Sequence, residues 1–130
     1  MTENKNLALL KFAMAYFAVL TIIYGIGLVF FTEKLVEMSG TAPFEPNWVR
    51  WAGGLLAGLG IGAFYVLRNP GNLTALVVPF ALGTLFIGLA LLYQLLFDWN
   101  PEHNVPFTAV PCALNLAGSV LLWVGGAKAR

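Results

Sequence analysis

Thr108, Cys112, Asn115 and Ser119 recur at intervals of four, three and four residues, a spacing that lines them along one stripe of a helix. Hydroxyl, thiol and carboxamide groups form hydrogen bonds. The stripe should therefore face protein. A second set comprises Tyr24, Arg50 and Trp51, together with Gln94 and Asp98, which stand four apart and so share a helical face. With Asn115 these make up the candidate ligand-binding residues: Tyr24, Arg50, Trp51, Gln94, Asp98 and Asn115. They would line an outward-facing pocket; only if the chain were an enzyme acting on a quinone or lipid would Arg50 orient an anionic or carbonyl group. The competing reading pairs Arg50 with Asp98 or Glu45 and lets Asn115 bond across helices for stability.

Other chemistry does not assemble. His103 is the single histidine, beside Glu102, and a metal site would need further ligands from another loop, so no metal is assigned. That histidine has no nucleophile placed near it by sequence, so no catalytic residue is assigned either. The glycine-rich stretch from Gly53 to Gly62 has neither a preceding strand nor a following lysine, which excludes a phosphate-binding loop. Cys112 is the one cysteine and reads as a small packing residue. A net charge of +1 and the lack of any basic run argue against nucleic acid as a partner.

These groups need elements to hold them, and the composition says where those elements lie. Of 130 residues, 59% are hydrophobic and only 10% are charged. A water-soluble domain of this size hides only about 60 to 70% of its unfolded surface, too little for such a chain, so lipid must solvate the rest. Crossing about 30 Å of hydrocarbon takes about 20 helical residues. Four runs qualify: residues 12–31, 48–67, 73–97 and 107–127. The predicted fold class is thus all-α, an integral membrane four-helix bundle forming a single domain over 1–130. The polar start lacks a signal-peptide cleavage site, so the first helix is expected to be retained.

Between the runs lie a connector of nearly twenty residues, a tight Asn69-Pro70-Gly71 turn and a polar hairpin from Asp98 to Asn104. The tight turn predicts that the second and third spans are antiparallel neighbours. In the long connector, Glu33 to Met38 can form a surface helical turn ending at Ser39-Gly40, with Leu35, Val36 and Met38 on the membrane. Lys5, Lys11, Arg68, Lys128 and Arg130 fall on one side with Glu3. The other side carries Glu33, Glu37, Glu45, Asp98 and Glu102 against Lys34 and Arg50. Basic residues in short loops stay cytoplasmic, so both termini are expected there, with Trp48, Trp51 and Trp99 at the outer interface and Trp123 at the inner one. The Asn72-Leu73-Thr74 sequon is then cytoplasmic and inert.

Helices in lipid associate through small residues and hydrogen bonds. Gly54, Gly58 and Gly62 mark one packing face of the second span, and Gly53, Ala57 and Gly60 a second, which predicts a central helix contacted on two sides. Pro79 and Pro111 fall early in their helices, where they bend a helix start or open a local cavity. No acid, histidine or lysine lies within the spans, unlike a coupled transporter or proton pump, and the first span lacks the glutamate of a small multidrug exporter.

The run Tyr24-Gly25-Ile26-Gly27-Leu28-Val29-Phe30-Phe31, a long outer loop, and then Asn47-Trp48-Val49-Arg50-Trp51-Ala52-Gly53-Gly54-Leu55-Leu56-Ala57-Gly58-Leu59-Gly60 resemble the DoxX-like superfamily of small four-helix bacterial membrane proteins, in its uncharacterised branch. The resemblance implies a four-helix bundle in the inner membrane with Arg50 at the mouth of the second helix. Relatives often carry a further charge in the third or fourth helix, where this chain has Gln94 and Asn115. Because the superfamily includes proteins associated with quinone-linked respiratory enzymes, it also implies a larger membrane complex as a partner.

The expected function is a non-enzymatic binder of a lipid-like or small amphipathic molecule, or an accessory subunit. The alternatives are a membrane oxidoreductase or other enzyme acting on a quinone or lipid, and a small-solute transporter. Membrane lipid, a hydrophobic small molecule and further copies of the chain are the expected partners, and no cofactor is specified.

Overall fold

A computed structural model of the chain describes residues 2–40, 46–68, 71, 73–97 and 104–129. They form five helices: α1 (Thr2–Phe30), α2 (Thr32–Ser39), α3 (Pro46–Arg68), α4 (Leu73–Phe97) and α5 (Val105–Ala129). Four of them, α1, α3, α4 and α5, are long and apolar enough to cross a membrane. The spans read from sequence agree with these helices to within two residues at every end but one: α1 starts ten residues earlier.

The short helix α2 ends at Gly40, whose φ of 74° is the left-handed cap geometry that favours glycine, and whose N–H donates to the Glu37 carbonyl at 3.2 Å. Its start is a bend at Phe31 (φ −116°, ψ 27°). There the Thr32 hydroxyl turns back onto the Leu28 and Val29 carbonyls, an alternative to regular helix that threonine offers readily. Asn104 ties the far end of α2 to α5, its N–H donating to the Ser39 carbonyl at 3.0 Å and its side chain to the Met38 carbonyl at 3.4 Å.

The long helices lie in the lateral order α3, α1, α5, α4. Helix α1 packs along α3 on one side and α5 on the other, and α4 packs along α5. Two sequence expectations are thereby corrected. Helix α3 is peripheral, and it makes little direct contact with α4 although only four residues separate the two in the sequence. The reason lies in which glycine face finds a partner. A Cβ on Gly53 would stand 2.9 Å from the Gly25 carbonyl oxygen, and one on Gly60 3.0 Å from that of Ala18, so this face is pressed against α1. The Gly54, Gly58 and Gly62 face, expected to pack, meets nothing within 4 Å.

The tightly packed core sits at the end of the bundle away from α2. Leu10, Met14, Val77 and Leu122 are buried there, and Phe17 stacks on Phe80 with ring centroids 4.4 Å apart. Side chains also bond across helices: the Ser119 hydroxyl donates to the Ala81 carbonyl at 2.9 Å and the Tyr16 hydroxyl to the Leu114 carbonyl at 2.8 Å. Ser119→Ala and Tyr16→Phe are each expected to lower stability by about 0.5 to 1.5 kcal/mol, measured by thermal unfolding in detergent. No change in either variant would show that these bonds do not hold α5 to its neighbours. Cys112 packs as expected, buried, with its sulfur 3.4 Å from the Gly88 carbonyl.

Candidate functional site

One turn beyond the Phe17–Phe80 stack, on the α2 side, the packing opens. Position 21 of α1 faces the opening with a threonine whose hydroxyl is held by the Phe17 and Ala18 carbonyls at 2.8 and 3.2 Å. From there a hollow of about 280 Å³ extends between the helices. Its back wall is the α1–α5 pair, with Tyr24, Thr108 and Asn115, and its sides are Leu56 of α3 and Ile87 and Leu91 of α4. It exists because α3 and α4 are held apart by the two helices between them. All four long helices contribute.

Asn115 is a closely held polar group in this wall. It is only 7% exposed, and its amide nitrogen donates to the Pro111 carbonyl one turn back, at 2.8 Å. Because that partner is an acceptor, the amide orientation is fixed. The side-chain oxygen receives no hydrogen bond from any described residue. It is not sealed off, since no buried side-chain oxygen or nitrogen among the described residues lacks a partner, so it opens onto the hollow that Asn115 lines. The Tyr24 and Thr108 hydroxyls likewise make no hydrogen bond within the described residues. Three groups with unused hydrogen-bonding capacity thus border an otherwise apolar space, the usual composition of a small-molecule site.

A second hollow of about 360 Å³ lies under α2, between Leu35 and the start of α5. Tyr24, Leu28, Phe107 and Pro111 border both spaces and form the partition between them. Proline at 111 lies inside the unbroken helix α5 and has no N–H to give to the carbonyl four residues earlier. Of the two readings that the sequence left for this proline, the structure shows it at the edge of a cavity.

Arg50 stands elsewhere. Its guanidinium lies 3.6 Å from the Glu33 carboxylate, with the two side chains 45% and 85% exposed, in an open depression at the α2 end bordered by Phe31 and Lys34. Trp51 is 71% exposed. Gln94 is half-buried on α4, beyond the last α4 residue of the hollow. Asp98, and Glu45 as a proposed partner of Arg50, lie outside the described residues. Of the six candidate residues, the structure therefore brings Tyr24 and Asn115 together and leaves Arg50, Trp51 and Gln94 apart from them. Sequence reasoning missed Thr108 as part of the site, although it shares the stripe of Asn115, and missed the apolar walls.

Arg50→Gln is expected to change stability by less than about 1 kcal/mol, since an exposed ion pair is screened and entropically costly. It should also leave occupancy of the hollow intact. Loss of a ligand in this variant would place Arg50 in the site after all.

Among the described residues no three histidine, cysteine or acidic side chains come together as a metal site. The hollow itself can accept an apolar body and bond its polar end. Tyr24 is the one titratable side chain among the described residues of its wall. No family model, no curated protein sequence and no solved structure matches this chain.

Proposed function

We propose that this is a four-span protein of the inner membrane, with both termini cytoplasmic, that binds a lipid-like amphipathic molecule in the hollow between α3 and α4. The carrying observation is the buried Asn115 amide, whose free oxygen opens onto an apolar space bordered by all four long helices. The exterior supports the membrane setting. Phe12, Ile23, Ile61, Phe86 and Val120, one or more from each long helix, are at least half exposed, a surface that water solvates poorly and hydrocarbon solvates well. The imbalance of basic residues supports the orientation, and the resemblance to the DoxX-like superfamily agrees with the bundle. The hollow then lies toward the outer leaflet, and a ligand enters sideways from the bilayer through the gap between α3 and α4.

A second reading, an accessory subunit, is favoured by one feature. The Gly54, Gly58 and Gly62 stripe leaves room for a closely packed helix of another protein. Extracting the protein with its native lipid annulus and comparing the retained lipids with those of the surrounding membrane tests both. One amphiphile enriched to near-stoichiometric amounts is expected. No enrichment, with a larger membrane protein co-purifying, would favour the subunit reading. A retained quinone would favour the oxidoreductase alternative.

A further inference from the structure

We infer that the ligand of this hollow is an uncharged lipid carrying a free hydroxyl group, which donates its hydrogen to the side-chain oxygen of Asn115. The inference rests on the reading of the hollow as an amphiphile site and specifies the chemistry of the head group. The described lining residues include no aspartate, glutamate, lysine, arginine or histidine. A carboxylate or phosphate placed there would lose its hydration with no cation to offset the loss. Arg50 does not supply one, being engaged with Glu33 in a separate, open depression. An ammonium head fares no better, for want of a carboxylate. The head is therefore neutral.

Its polarity follows from the amide. The nitrogen of Asn115 is fixed toward the Pro111 carbonyl, and what the side chain presents to the hollow is an oxygen, which can only accept. A ketone, ester or ether is an acceptor as well and leaves that oxygen unmatched, whereas a hydroxyl donates to it. The same hydroxyl oxygen can accept in return from Tyr24 or Thr108, whose own O–H groups are unengaged. One neutral hydroxyl thus satisfies a set of groups that an acceptor-only or charged head does not.

The test uses the purified full-length chain in lipid nanodiscs and three probes of equal chain length: hexadecanol, its methyl ether and hexadecanoate at neutral pH. Each competes with a photoactivatable hexadecanol, and the labelled fraction of protein is read. Hexadecanol is expected to compete about fivefold better than the ether, the worth of one hydrogen bond, and more than about tenfold better than the carboxylate. Asn115→Leu should lower the affinity for the alcohol to that for the ether and leave the ether unchanged. A preference for the ether or the carboxylate, or an alcohol preference that survives Asn115→Leu, overturns the hydroxyl assignment while leaving the hollow a lipid site. If none of the three competes and the label is not saturable, the amphiphile reading itself fails. Should Asn115→Leu not fold, the ranking of the three probes on the unaltered protein decides alone.

Discussion

Replacing Gly25 by alanine is expected to destabilise the bundle by roughly 2 to 3 kcal/mol, a typical cost of forcing atoms into a filled helix contact. A Cβ at this position would lie 2.6 Å from the Ala57 nitrogen, 2.8 Å from the Gly53 carbonyl oxygen and 2.9 Å from the Ala57 Cα. All three are backbone atoms, which cannot turn aside as a side chain can. The two helices would have to separate along their whole contact, and the packing of α1 on α3 that carries most of their association would be lost. The contrast lies on the same helix pair. Gly54→Ala, Gly58→Ala and Gly62→Ala meet open space and are expected to stay within about 0.5 kcal/mol of the parent chain. Thermal unfolding of the four variants in one detergent makes the comparison. If Gly58→Ala costs as much as Gly25→Ala in a chain shown to be monomeric, the lateral order α3, α1, α5, α4 is wrong.

The second large effect concerns the hollow. Leu56 is the α3 residue in its wall, and Leu56→Trp is expected to fill the space with an indole while leaving the α1 contact at Gly53 and Gly60 untouched. Binding of an amphiphile should weaken by about tenfold or more, a loss of about 1.4 kcal/mol or greater, while the unfolding temperature stays near that of the parent or rises as a void is filled. The separation of the two readouts matters, because a substitution that merely disrupts the bundle would lower both. Leu59→Trp is the control, since Leu59 is 38% exposed on the same helix and borders neither hollow. Equal loss of binding in both variants would show that the ligand senses the surface of α3 rather than the space behind it.

The four long helices were legible because each is an unbroken apolar run bounded by Pro, Gly, Asn or charge, and α2 because Ser39-Gly40 is a helix-stop signal. The order of the helices was not legible. Gly53, Ala57 and Gly60 read the same in sequence as Gly54, Gly58 and Gly62, and the choice between them is made by Gly25 on another helix, whose backbone comes close enough only on one face. Having only four residues between α3 and α4 keeps two helix ends near each other, but it does not make the helices lie along each other. In the site, Tyr24 and Asn115 stood out because polar groups within apolar helices are few and must face something other than hydrocarbon. Arg50 stood out for the same reason and misled, since its place at a helix mouth lets it reach Glu33 on α2 instead of the hollow. Leu56, Ile87 and Leu91 gave no signal, because a leucine that borders a cavity and one that faces lipid look alike in a sequence.

The hollow as the place where an amphiphile sits is tested most directly by where such a molecule attaches. A lipid carrying a photoactivatable group at the middle of its chain can be crosslinked to the protein in nanodiscs and the modified residues identified by mass spectrometry of peptides. The expected result is attachment concentrated on Leu56, Ile87 and Leu91 and competed away by unlabelled lipid. Attachment spread evenly over outward residues such as Phe12, Phe64 and Val120, and indifferent to competitor, would contradict the account.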